Sequence, residues 1–508
     1  MKKISSVFFI VLLGVGIVSV NMIPVLRRTF PLENADAVMF TLTQNVDGSR
    51  DFAVMLTVEV LKQSLIVFLL VLVGVAALLW VVRYFQKKIG LSRRFQVTYG
   101  WMIIFSNMIC FCLFVCSVYS NIPIADYYVV WKDSLATPEH SDFYGREYVE
   151  PDSVRIEFGE KKNLILVFLE SIEYNFQDSV NGGNLSDNLI PEITEYLKNE
   201  QSFMPGGTQV TGMGWTMADA VAKTCGIPLM FPPSISNSFV PLKSFLPGVT
   251  CLTDILISKD YNVVVSKGAN LKFSGMDDFL NTHSAPQAFG FMEYSRENKQ
   301  RISGEVVSEW GVKDSVHYEL VKEHIDKLSK QDKPWAMWFF TVNTHTPHGI
   351  VDPMCGIPRD VPEVERLPAI ISCSSRQLDN FIKWAKTQEW FDNTVIAVMG
   401  DHAMMAAPEL IGFKDTDITH YWLDFFINSS RNAESYNREF TSLDMFPTIL
   451  ESMGAEIPNG ALGLGRSLYS KRPTLLEKYG ADSLNKAIGK RCVEYDYFLY
   501  FDKDKGKD

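Results

Sequence analysis

The sequence predicts an α/β domain with a mostly parallel sheet flanked by helices, preceded by three transmembrane helices. Three observations carry this. Short apolar segments alternate with helical stretches after residue 163, each apolar segment closes on a polar cluster, and three long uncharged runs occupy the first 120 residues.

The runs are 5–26 (SSVFFIVLLGVGIVSVNMIPVL), 64–82 (SLIVFLLVLVGVAALLWVV) and 100–119 (GWMIIFSNMICFCLFVCSVY). Each has about the 20 residues that cross a bilayer as a helix. A cleaved signal peptide is the rival for the first, given its start at Met1-Lys2-Lys3. Two further runs follow, however, and no small-residue cleavage motif ends it. Lys2 and Lys3 at the N-terminus, and Arg83, Lys87, Lys88, Arg93 and Arg94 between the second and third runs, belong on the cytoplasmic side. Everything past residue 120 is then exported across a bacterial cytoplasmic membrane to its periplasmic side. The expected organisation is a transmembrane region (1–120), a linker (121–160), a catalytic domain (161–475) and a tail (476–508). A net charge of -11 argues against a nucleic-acid partner.

Of the cysteines, Cys110, Cys112 and Cys116 lie in the third run. Cys225, Cys251, Cys355, Cys373 and Cys492 lie where disulfides form. Spacing does not fix the pairing; Cys225–Cys251 and Cys355–Cys373 are the short-loop choices, with Cys492 left over.

The apolar segments 164–169, 263–266, 336–342 and 395–399, with helical stretches at 312–330 and 374–387 between them, have the pattern of a buried parallel sheet. They run respectively into Glu170-Ser171, Lys267-Gly268-Ala269-Asn270, Asn343-Thr344-His345 and Gly400-Asp401-His402. Ligands of open α/β sheets bind at the carboxyl ends of strands. Glu170, Asp401 and His402 offer two carboxylates and an imidazole to one divalent cation, with manganese, zinc and magnesium all compatible. Thr216 follows two glycines in GMGWTMADAVAK and is expected at the N-terminal cap of a helix over 217–224. An ordinary capping threonine has the same position, but that end of a helix also favours a phosphate, and a cation beside it turns the hydroxyl into a nucleophile. His345 and His348 are candidates for proton transfer. Trp310, Lys313 and Asp314, in WGVKD, are candidates for substrate contact.

Taken together, LILVFLES (164–171), GWTMADAVAKTCGIPL (214–229), CLTDILISKDYNVVVSKGANLKFSGMDDFL (251–280), WGVKD (310–314), TVNTHTPHG (341–349) and GLGRS (463–467) resemble the alkaline phosphatase/sulfatase superfamily. Within it they resemble the membrane-bound phosphoglycerol transferases, with lipoteichoic acid synthase more distant. The resemblance implies an alkaline phosphatase/sulfatase-like fold. It implies that Glu170, Thr216, Asp401 and His402 hold the metal, that Thr216 is the nucleophile, and that His345 contacts the phosphoryl group or acceptor. Lys267 and Asn270 fall in a segment that favours phosphoglycerol by the same resemblance. Cys225, Cys251, Cys355 and Cys373 match cysteines of these relatives, which supports the short-loop pairing. Two departures stand out. A tryptophan precedes the threonine, and the chain ends soon after the catalytic domain, where glucan-modifying relatives continue.

The function expected on this basis is a ping-pong transfer of phosphoglycerol from phosphatidylglycerol to an exported glycan, a periplasmic glucan or other envelope polysaccharide, through a glycerophospho-threonine. The rivals are a phosphoethanolamine transferase acting on lipopolysaccharide and a catalytically silent membrane sensor. A hydrolytic sulfatase is disfavoured because its C/S-x-P-x-R context is absent.

Overall fold

The computed structural model describes residues 138–501, except 204–205, 231–243, 309, 347, 359, 405–410, 414–421 and 434–436, and, before them, 14–23, 26, 50–89, 108–109, 111–116, 118–120 and 122–135. The chain divides into two compact units, residues 1–35 with 50–129 and residues 36–49 with 130–508.

In the first unit, residues 64–82 lie within a helix spanning Arg50–Ile89. Its Leu65, Ile66, Leu69, Leu70, Val73 and Trp80 are exposed. Parts of the first and third apolar runs lie outside the described residues. Among the described residues, no helix is long and apolar enough to cross a membrane.

The second unit is built on a seven-stranded sheet. Its strands are β1 (Asn163–Leu169), β2 (Gln201–Ser202), β3 (Asn262–Lys267), β4 (Gln287–Phe289), β5 (Trp335–Phe340), β6 (Thr394–Gly400) and β7 (Asp424–Ile427). Their order is β2-β7-β6-β1-β5-β3-β4. The pairs β6–β1, β1–β5, β5–β3 and β3–β4 are parallel. Strand β7 runs antiparallel to both β6 and β2. Side chains alternate between two cores, as the period of 2 requires. Leu164, Leu166 and Phe168 enter one with Ala336, Trp338, Val395 and Ala397. Ile165, Val167 and Leu169 enter the other with Met337, Phe339, Ile396 and Val398. Both faces are covered, so β1, β5 and β6 are buried throughout.

Helices α1 (Pro191–Asn199), α4 (Asp314–Leu328) and α5 (Glu363–Ala385) lie on the second face. For instance, Tyr318, Val321, Ile325 and Leu328 of α4 face it at helical spacing. Helices α2 (Thr216–Cys225), α3 (Leu252–Ser258) and α6 (Met445–Ser452) lie on the first.

Several boundaries differ from expectation. Helix α5 begins well before residue 374, with Pro368 inside it; a proline reads as a helix limit in sequence. The segments flanking the expected domain also contribute to its core. Phe143, Tyr144 and Ile156, within the expected linker, and Leu484, Ile488, Tyr495 and Phe498, within the expected tail, are buried in the first cluster. Cys225 is bonded to Cys251 and Cys355 to Cys373, and Cys492 is free and buried.

Candidate active site

Glu170 and Asp401 leave the sheet side by side, because β1 and β6 are parallel neighbours with Leu169 opposite Gly400. Gly400 is required by that closeness, since a Cβ there would lie 2.3 Å from the Ile172 carbonyl oxygen. Strand β5, on the other side of β1, feeds the loop that carries His345. Lys267 ends β3, the next strand along.

Glu170, Asp401 and His402 are buried and offer ligand atoms within 4.8 Å of one another. His402 Nε2 lies 3.5 Å from Glu170 Oε1 and 3.5 Å from Asp401 Oδ2. The His402 Nδ1 is 2.9 Å from the Ala403 carbonyl oxygen, which puts a proton on Nδ1 and turns Nε2 toward the carboxylates. Asp401 Oδ1 accepts from the backbone N–H groups of Ser171 (2.7 Å) and His402 (2.8 Å). Its Oδ2 is buried with no hydrogen-bond partner. An orphaned carboxylate oxygen facing a second carboxylate and an imidazole is expensive in a dry site, and a divalent cation is the partner this donor set suits. The residues present therefore fit a metal.

The electrostatics agree. Burial, then the neighbouring Glu170, push Asp401 up to about 6. Burial also opposes ionisation of Glu170, but His345 and His402 outweigh it and hold that carboxyl well below its usual range. For His402, burial is outweighed by Asp401 and Glu170, and the imidazole is pushed up.

Thr216 is the first residue of α2, and Trp215 is the cap, without a side-chain capping bond. The expected capping role is thus corrected: the Thr216 hydroxyl is not spent on its own helix and donates to Glu170 Oε2 at 3.2 Å. Thr216 is half-buried, whereas the rest of α2 is buried. The uncapped first turn leaves N–H groups directed outward.

His345 Nδ1 lies 2.8 Å from the Thr346 carbonyl oxygen, and burial lowers the imidazole's pKa. Trp310 stacks on His345 at 3.9 Å between ring centroids, and Phe273 packs edge-on against Trp310. Lys267 is buried, with its ammonium 5.6 Å above the Phe340 ring. Burial lowers its pKa, and Glu170 and Asp401 oppose that shift.

Other expected substrate contacts are placed differently. The Asp314 carboxylate accepts from the N–H groups of Val342 (2.8 Å) and Asn343 (3.0 Å). It is a clasp on the His345 loop and not a ligand for substrate. Lys313 is the half-buried cap of α4. Asn270 Oδ1 accepts from the Lys272 N–H, which closes a turn, and His348 is exposed.

Sequence reasoning missed Ser171, whose φ of 52° is in the left-handed region. Its N–H serves Asp401 and its Oγ donates to Glu170 Oε1 at 2.7 Å. It also missed Thr341, which accepts from the Glu170 N–H at 2.9 Å, and Thr344, whose hydroxyl donates to the Glu170 carbonyl oxygen. Their position beside the strand ends was the available signal. A second grouping, Cys251, Asp254 and His283, is closed to metal because the Cys251 sulfur is bonded to Cys225.

A family model described as Sulfatase matches residues 162–455. Phosphoglycerol transferase I of Escherichia fergusonii is 30% identical over 316 residues, covering 61% of this chain and 39% of that protein. The protein of the same name from Escherichia coli is 31% identical over the same coverage. The match therefore spans well under half the length of these relatives. Among solved structures, a protein in the alkaline phosphatase superfamily from Vibrio parahaemolyticus matches with TM-score 0.49 and 22% identity, covering 68% of this chain and 78% of that one. The lipoteichoic acid synthase LtaP from Listeria monocytogenes matches with TM-score 0.48 and 16% identity, covering 68% and 81%.

Proposed function

The chain belongs to the sulfatase family, and on that premise we propose that it is a membrane-anchored transferase moving phosphoglycerol from phosphatidylglycerol to an exported glycan. The observation that carries this reading is the Thr216 hydroxyl, 3.2 Å from Glu170, a carboxylate that shares its buried cluster with an orphaned oxygen of Asp401. The names of the curated relatives support the transferred group.

A divalent cation held by Glu170, Asp401 and His402 would neutralise phosphoryl charge and make the Thr216 hydroxyl easier to deprotonate. Thr216 Oγ1 loses its proton and attacks phosphorus, the bond from phosphorus to the diacylglycerol oxygen breaks, and the released proton passes to that oxygen. An acceptor hydroxyl then attacks the glycerophospho-threonine, and the bond from phosphorus to Oγ1 breaks, restoring Thr216. Burial lowers the His345 pKa, and its Nδ1 is turned to Thr346. Its Nε2 is the proton acceptor for the incoming hydroxyl. Lys267 and the free N–H groups opening α2 offset the phosphoryl oxyanions. Trp310 fixes the His345 ring by stacking. The three apolar runs of the sequence support a catalytic unit on the periplasmic side of the cytoplasmic membrane, where a lipid donor and an exported acceptor meet.

The test is to incubate the purified full-length protein, in vesicles with Mn²⁺ and a glucan acceptor, with phosphatidylglycerol or phosphatidylethanolamine carrying a labelled headgroup. Label reaching glycan from phosphatidylglycerol alone, and lost with Thr216→Ala, supports the proposal. Label from phosphatidylethanolamine alone redirects it to phosphoethanolamine transfer.

A further inference from the structure

Lys223 lies seven residues beyond Thr216, about two turns along α2 and on the same side of the helix. It is fully buried, a position an ammonium tolerates only with partners. Its Nζ is 2.8 Å from Asp219 Oδ2 and 5.0 Å from the centre of the Trp422 ring. It also donates to the main-chain oxygen of Gly400. Asp424, opposite Met399 in the β6–β7 ladder, is buried with no hydrogen bond to either carboxylate oxygen. Burial pushes its carboxyl up to about 6, and Lys223 is the cation that opposes that shift.

One buried side chain thus runs from the helix that begins with Thr216 to the peptide preceding Asp401. We propose that Lys223 is a positioning residue that ties the nucleophile helix to the end of β6, and so fixes Thr216 relative to the cation site. The inference rests on reading Glu170, Asp401 and His402 as that site. Sequence spacing marks Lys223 only as an i+4 partner of Asp219, and the Gly400 contact is visible only in the fold.

The sign of the effect separates a tether from a mere charge. Removing a cation near a dication's site should tighten dication binding by Coulomb's law. Removing a tether should loosen it.

The experiment is calorimetric titration of Mn²⁺ into the purified full-length protein in detergent. The variants are Lys223→Met, the double variant Lys223→Met/Asp219→Asn, which removes both members of the 2.8 Å pair, and Asp401→Ala. The double variant removes one buried charge of each sign, so it stays folded even where the single one does not. Expected is Mn²⁺ affinity about 10–100-fold weaker in the double variant, the range for groups that orient metal ligands, with its metal-free melting temperature close to that of the parent. Transfer should lose kcat with little change in KM for the lipid. Affinity equal to or tighter than the parent's overturns the tether. Asp401→Ala binding Mn²⁺ as tightly as the parent overturns the metal reading itself, and the tether with it.

Discussion

Thr216 Oγ1 donates across 3.2 Å to Glu170 Oε2, joining the first residue of a helix to the residue that follows the central strand. The contact points a half-exposed hydroxyl at a buried carboxylate.

Thr216→Ala should abolish transfer while leaving the melting temperature within a few degrees of the parent, since a half-buried hydroxyl contributes about 1 kcal/mol. Thr216→Ser keeps the hydroxyl and should retain measurable transfer. Following a labelled headgroup into glycan for both variants checks this, and full transfer by Thr216→Ala would contradict it.

Asp401→Asn removes charge where one oxygen has no partner. The metal-free variant should be at least as stable as the parent, by up to about 1–3 kcal/mol, the cost of an unsatisfied buried group. It should also lose the stabilisation that Mn²⁺ gives the parent, since only a native-state ligand raises stability. Thermal melts with and without Mn²⁺ measure both effects.

Asp314 sets a pH dependence through its clasp on the His345 loop. Burial pushes its carboxyl up to about 7 from a usual 3.8, despite the N–H bonds of Asn343 and Val342. Between those values the folded chain holds a proton that the unfolded chain has released. This group's contribution to stability is therefore full below pH 3.8 and is lost as pH rises through 7. Asp314→Asn should remove up to one proton's slope, about 1.4 kcal/mol per pH unit, from denaturation midpoints measured between pH 4 and 7.

Reducing the Cys225–Cys251 bond, which closes a separation of 26 residues at the foot of α2, should cost about 3 kcal/mol. Chemical denaturation of a Cys225→Ser/Cys251→Ser variant against the parent measures the cost. An unchanged midpoint would show that the bond contributes nothing.

How much of this was legible follows from where the information resides. β1, β5 and β6 were readable because strands buried on both faces are continuously apolar. Glu170, Asp401 and His402 stood out because ionisable residues directly after such strands have few structural reasons to be there. The strand Gln201–Ser202 has two residues and no pattern to read, and β7 opens with the buried charge of Asp424. Asp314 looked like a substrate contact because its partners, Val342 and Asn343, lie 28 and 29 residues away. Ser171 was missed because its left-handed backbone leaves no mark in composition. The cap at Thr216 was off by one residue, and that residue decides whether its hydroxyl serves the helix or Glu170.

The central claim is that phosphoglycerol passes through Thr216, and the most direct measurement is to trap that state. The full-length protein, loaded with Mn²⁺ and mixed with phosphatidylglycerol but no acceptor, is quenched, digested and examined by mass spectrometry. The account expects a glycerophosphate adduct on the peptide containing Thr216, which disappears when acceptor is added. Transfer that proceeds with no adduct, or with the adduct on another residue, would contradict it.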